Sequence, residues 1–178
     1  MLLKNHKAVI LVENIFNDHE FWYPYYRFLE EGAQVEVVGP EKDKKYTGKH
    51  GTTAVSTAAP RDLSVRESGT LIIPGGYAPD HMRRDKNMVD LVSAFHKQGK
   101  IIGAICHAGW MLASADILRG RTVTSFFAIR DDLINAGANW VDREVCTDEK
   151  LVTSRTPDDL PAFMRTLIKL AAAGENGD

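Results

Sequence analysis

The stretch Ile101-Ile102-Gly103-Ala104-Ile105-Cys106-His107-Ala108-Gly109-Trp110 decides the fold. An apolar, β-branched run stops abruptly at a cysteine, which reads as a strand buried on both faces. Past it, Met111, Leu112, Ala115 and Leu118 recur at helical spacing, predicting a helix packed on that sheet. Cys106 stands at the apex of a strand-turn-helix, with Ala104 and Ala108 two residues to either side. Small residues at those positions give the close chain approach that a nucleophile elbow needs. Three effects then favour a thiolate: the helix N-terminus beneath the sulfur, an adjacent protonated His107, and partial exposure at the sheet edge. The backbone N–H of His107 is a candidate oxyanion donor. The competing reading of the same turn is a packed free cysteine in the core.

Working outward, buried strands also lie at Lys7 to Val12, Gln34 to Val38 and Thr70 to Ile73, with the helix His19 to Glu31 between the first two. Phe21, Tyr25, Phe28 and Leu29 form the inner face of that helix, and Pro24 belongs near its start or kinks it. Strand, helix and strand in succession imply a parallel β-α-β unit. Between Glu41 and Ser68 the pieces are short and polar, with Gly48-Lys49-His50-Gly51 as a hairpin turn and Thr52 to Thr57 returning. Pro74-Gly75-Gly76 closes the Thr70 strand, where glycines let a ligand approach the backbone.

An amphipathic helix over Asn87 to Lys97 ends at Gly99. Arg121 to Thr124 is a short strand, Asp131 to Ala136 a short helix, and Val141 to Cys146 with Leu151 to Ser154 a strand pair joined by Asp148-Glu149-Lys150. Thr156-Pro157-Asp158-Asp159 starts a last helix with an apolar stripe from Leu160 to Ala171, and Gly174 to Asp178 is a frayed tail.

The 178 residues, 44% hydrophobic and with a net charge of −2, suit one domain over 1–178 with a full core. No basic stripe points to nucleic acid and no polybasic patch to a membrane. The two cysteines lack a disulfide framework, which fits a reducing compartment, the cytoplasm. Cys146 is a packed strand residue in this reading. There is no G-x-G-x-x-G fingerprint, P-loop or H-E-x-x-H spacing, so no nucleotide cofactor and no metal is expected.

Four motifs taken together carry a resemblance: Leu71-Ile72-Ile73-Pro74-Gly75-Gly76, Ala104-Ile105-Cys106-His107, Asp131 through Gly137, and Val152 through Pro161. In this order and spacing they resemble the ThiJ/PfpI superfamily, in particular its PfpI-type intracellular protease branch, related to class I glutamine amidotransferases. The resemblance implies a flavodoxin-like three-layer α/β sandwich, its mostly parallel central sheet covered by helices on both faces. It implies that Glu20, four residues before Pro24, faces Cys106, and that Gly76 and His107 supply an oxyanion hole. It implies that Asp80 orients His107 across a subunit interface, in a homodimer that can assemble further into a hexamer.

Read without the resemblance, Glu20 is an exposed acid of a first helical turn and Asp80 a helix N-cap. Where the branch has Gly-Pro after Cys-His, this chain has Ala108-Gly109-Trp110, and the stretch before the first helix, Asn14-Ile15-Phe16-Asn17-Asp18, has an asparagine where a glutamate is frequent. Trp22, Tyr23, Tyr25 and Tyr26 suit helix packing, a pocket or an interface. The chemistry implied is a cysteine hydrolase acting on peptides or amides. The alternatives are a glyoxalase or deglycase acting on a small carbonyl compound, and a non-enzymatic redox sensor or stress chaperone.

Overall fold

A computed structural model describes residues 1–175. Six strands form the central sheet: β1 (Lys7–Leu11), β2 (Gln34–Val38), β5 (Thr70–Ile73), β6 (Ile101–Ile105), β9 (Val145–Asp148) and β10 (Leu151–Ser154). Their spatial order is β2-β1-β5-β6-β10-β9, parallel throughout except for the antiparallel edge strand β9. β5, β6 and β10 are buried at nearly every residue, because helices cover both faces of the sheet.

One cover consists of α1 (Asp18–Glu30) and α6 (Leu160–Glu175), which pack on each other and on the sheet. The opposite cover includes α2 (Ala78–Met82), α3 (Lys86–Lys97), α4 (Gly109–Ser114) and α5 (Arg130–Asn135). This is the three-layer flavodoxin-like sandwich. Gly103 lets α6 lie tight on β6: a Cβ there would stand 2.9 Å from Leu167 Cδ1 and 3.0 Å from Phe163 Cζ. Phe163 is fully buried, and truncating so large a side chain costs about 3–5 kcal/mol.

Several local expectations shift. α1 begins at Asp18 because Asn17 caps it, its side chain accepting from the N–H groups of His19 and Glu20. Pro24 sits inside that helix and leaves the Glu20 carbonyl without an i+4 donor. Leu29, expected on the inner face, is 44% exposed. The helix after the elbow stops at Ser114, and Leu118 is buried from the loop beyond it.

Trp140 does not lead into the edge strand. It belongs to β8 (Asn139–Trp140), which pairs in parallel with β7 (Thr122–Val123), and the edge strand starts only at Val145. The expected strand over Val141 to Cys146 is thus paired only at its last two residues, and β9 runs on to Asp148, because alternating polarity alone does not show where sheet pairing begins. Cys146 is buried in β9 as expected. The last helix runs on through Glu175, past the predicted start of a frayed tail; 176–178 lie outside the described residues. No helix among the described residues is long and apolar enough to cross a membrane.

Candidate active site

The parallel strands β1, β5 and β6 end at one edge of the sheet, and their following loops converge there. At the end of β6, Cys106 has φ +62°, a left-handed conformation that a non-glycine residue adopts only under strain. A 3-10 turn over Cys106–Ala108 then feeds α4. This is the elbow geometry that the sequence predicts.

Gly75 and Gly76 bring the loop after β5 against that elbow. A Cβ on Gly75 would lie 2.7 Å from both Cys106 Cβ and Glu20 Oε2, and 2.9 Å from the His107 nitrogen. Gly76 has φ +73°, and a Cβ on it would lie 2.4 Å from the Ile15 carbonyl oxygen. Only glycine fits at either position without displacing backbone. The backbone N–H groups of Gly76 and His107 both aim at Sγ of Cys106, so the two expected oxyanion donors surround the sulfur.

Glu20 reaches the same point from α1. It is 0% exposed, and its Oε2 accepts from the Gly75 N–H at 2.7 Å. Burial, only partly offset by that bond, by Cys106 and by the charge of Lys49, pushes its carboxyl up to about 7. Its Oε1 has no hydrogen-bond partner among the described residues, and the carboxyl as a whole interacts with the Cys106 side chain. An acid expected in solvent without the resemblance is therefore fully enclosed beside the sulfur.

Two of the three effects expected to favour the thiolate do not operate. Cys106 is only 8% exposed, and burial together with the Glu20 charge pushes its thiol up to about 12, against the pull of the two N–H donors. Burial and Lys49 lower His107, so it is neutral near pH 7 and lends no positive charge. Its Nδ1 lies 3.3 Å from Sγ, and its ring packs between Trp110 and Phe126.

The helix N-terminus acts as expected, through the His107 N–H. The repulsion from Glu20, moreover, exists only while its carboxylate is ionised. With the pair's shared proton on Oε1, that atom gains a partner, and the sulfur carries the charge facing three donors. The anionic sulfur thus depends on a protonated Glu20, not on exposure or a histidinium.

Asp80 lies in the first turn of α2, where its carboxylate pairs with Arg84 and Tyr77, not Asp80, occupies the N-cap position. Within the chain it makes no hydrogen bond to His107 among the described residues.

A cleft of about 470 Å³ opens over Cys106 and His107. Its walls include Ile15, Lys49, Tyr77, Phe126 and Pro157, none of them singled out from the sequence as site residues. Lys49 lies in the loop between β3 (Lys45–Thr47) and β4 (Thr53–Val55), and its N–H donates to the Phe16 carbonyl at 2.8 Å. Asp18 holds that loop from below: its carboxylate accepts from the His50 N–H at 2.7 Å, the Thr52 N–H at 3.0 Å and the Thr52 hydroxyl. Asn14 accepts from the Thr47 N–H at 3.0 Å and fastens the same hairpin. A glycine-flanked lysine, Gly48-Lys49-His50-Gly51, was the one signal available in the sequence.

The DJ-1/PfpI family model matches residues 6–170. The chain is 42% identical to Deglycase PfpI of Pyrococcus furiosus, over 92% of this chain and 98% of that one. It is 40% identical to Protein/nucleic acid deglycase 2 of Escherichia coli, over 94% and 98% respectively. A crystal structure of a two-domain Anabaena variabilis protein with DJ-1/ThiJ/PfpI-like and ferritin-like domains superposes with a TM-score of 0.91 at 37% identity, covering 93% of this chain and 48% of that one. The elbow, the glycine pair and the enclosed glutamate thus stand in a chain that belongs to the DJ-1/PfpI family.

Proposed function

We propose that the protein is a Cys106-dependent hydrolase whose substrates are 2-oxoaldehydes or the adducts they form, as in a deglycase. The observation that carries this reading is the enclosed pair of Glu20 and Cys106, with Glu20 raised to about 7 and Gly76 and His107 N–H groups at the sulfur. The sulfur adds to the aldehyde carbon, giving R–CO–CH(OH)–S–Cys106. Glu20 then takes the proton from that carbon and returns one to the neighbouring carbon, leaving the thioester R–CH(OH)–CO–S–Cys106. Water hydrolyses it to the 2-hydroxy acid and the free thiol. The two backbone N–H groups stabilise the oxyanions along the way. The relatives' names as deglycases support this reading.

Peptide or amide hydrolysis is the second reading, supported by the 3.3 Å approach of His107 Nδ1 to Sγ, which provides a proton for a leaving amine. The reading further includes a homodimer, able to form a hexamer, in which the partner's surface meets Asp80. It also places the chain in the cytoplasm, in keeping with two free cysteines.

The test is 2-hydroxy acid formation from methylglyoxal and amine release from model peptides, on wild type, Cys106→Ser and Glu20→Gln, with size-exclusion chromatography alongside. Hydroxy acid formed only by the wild type supports the deglycase reading; amine release alone favours the peptidase. Three inert proteins point to a redox sensor.

A further inference from the structure

The cleft over Cys106 is walled mainly by uncharged surface, and Lys49 is the one formally charged residue lining it. Its ammonium group is in no ion pair among the described residues. The nearby acids are otherwise engaged: Asp18 is spent on the N–H groups of His50 and Thr52, and Glu20 is enclosed behind the sulfur. His107, the other side chain on the wall able to carry a positive charge, is neutral near pH 7.

The backbone beneath Lys49 is fastened at three places, by its own N–H to Phe16, by Asp18 and by Asn14 to Thr47. A cation carried on an anchored backbone in an otherwise uncharged cleft attracts an anion and repels a cation, with little geometric demand beyond distance. The chemistry proposed above transforms only the two-carbon carbonyl unit, so a substituent on it reaches the cleft wall.

We propose that Lys49 is the specificity-determining residue of this site, and that the 2-oxoaldehyde it selects carries a carboxylate beyond the reacting carbonyls. This rests on the deglycase reading for the identity of the reacting group. The recognition of an anion beside Cys106 does not.

Two measurements separate them. The first needs no turnover: alkylation of Cys106 by iodoacetate and by iodoacetamide, followed by mass spectrometry of its peptide so that Cys146 does not interfere. Both reagents meet the same thiolate fraction, so the rate ratio reports the field at the sulfur and not its ionisation. In Lys49→Met the iodoacetate-to-iodoacetamide ratio falls about fivefold, as expected for losing one partly exposed charge contact. Lys49→Arg restores it, and raised salt narrows the difference. The second measurement compares kcat/KM for 4,5-dioxopentanoate with that for uncharged 2-oxopentanal; the wild type favours the carboxylate, and Lys49→Met removes the preference mainly through KM.

An alkylation ratio equal in wild type and Lys49→Met overturns the inference. Turnover of both dicarbonyls with no dependence of their ratio on residue 49 overturns it as well, while the deglycase reading stands. A ratio that follows residue 49 in a protein that turns over neither dicarbonyl upholds anion recognition and removes the deglycase reading.

Discussion

Glu20 Oε2 accepts a hydrogen bond from the Gly75 N–H at 2.7 Å, which ties the first turn of α1 to the loop after β5 directly beneath Cys106. That bond fixes one carboxyl oxygen and leaves the other without a partner among the described residues, in a carboxyl that interacts with the Cys106 side chain. The acid is therefore positioned by the backbone of another element, and small changes in protonation rather than movement switch the site.

The pair loses its first proton near the value to which Glu20 is raised, about 7. Hydroxy acid formation is expected to rise with pH through this region, since the sulfur becomes anionic only as the pair ionises. Glu20→Gln cannot shuttle a proton and should lower kcat by about a hundredfold or more, the usual worth of a positioned acid or base. Steady-state rates between pH 5 and 9 check both; a flat profile in the wild type would remove Glu20 from the proton transfer.

Stability follows with the opposite sense. The Glu20–Cys106 pair keeps its first proton to about 7 when folded, whereas Glu20 releases its own near 4.5 when unfolded. The folded state binds more protons in that window, so the contribution of this group is full below about 4.5 and is lost as pH rises to about 7. The loss is roughly 3 kcal/mol for a shift of this size. Glu20→Gln should melt higher than wild type at pH 8, by several degrees, and lose that advantage at pH 5. Paired thermal melts at the two pH values decide it.

Gly76→Ala should destabilise the fold by about 2 kcal/mol or more, since strain at φ +73° is joined by a collision 2.4 Å from the Ile15 carbonyl oxygen. Activity should fall with it, because the Gly76 N–H is displaced from the sulfur. Gly120→Ala is the control: φ is +75°, but nothing lies within 4 Å of its Cβ, so only about 1 kcal/mol of strain is expected and activity persists. Urea midpoints and rates on both variants test the distinction.

Asp18→Asn should loosen the loop that carries Lys49. Burial pushes the Asp18 carboxyl up, but the Thr52 hydroxyl and the N–H groups of His50 and Thr52 outweigh it and hold it below the usual carboxylate range. The amide keeps one acceptor oxygen and no charge, which costs about 1–2 kcal/mol. Faster hydrogen exchange at the His50 and Thr52 amides, with KM raised more than kcat is lowered, is the expected result. Unchanged exchange would show that the loop is held elsewhere.

The amino-acid sequence by itself determined the parallel sheet, the strand-turn-helix at Cys106 and the glycine pair beside it. Each is written in local terms: runs of β-branched residues, a change of period, and glycines where chains meet. It placed the start of the edge strand at Val141 where pairing begins at Val145, because alternating polarity does not show where a neighbouring strand is met. Only the tertiary structure decided the electrostatics of the site. Whether Glu20 is a solvated first-turn acid or an enclosed one depends on Gly75, 55 residues away, and on the closure of the loop after β5 over it. Likewise Lys49 is one lysine in a polar hairpin until Asp18, Asn14 and Phe16 place it on the wall of the Cys106 cleft. Burial and charge are set by what packs around a residue, and those neighbours come from segments far along the chain.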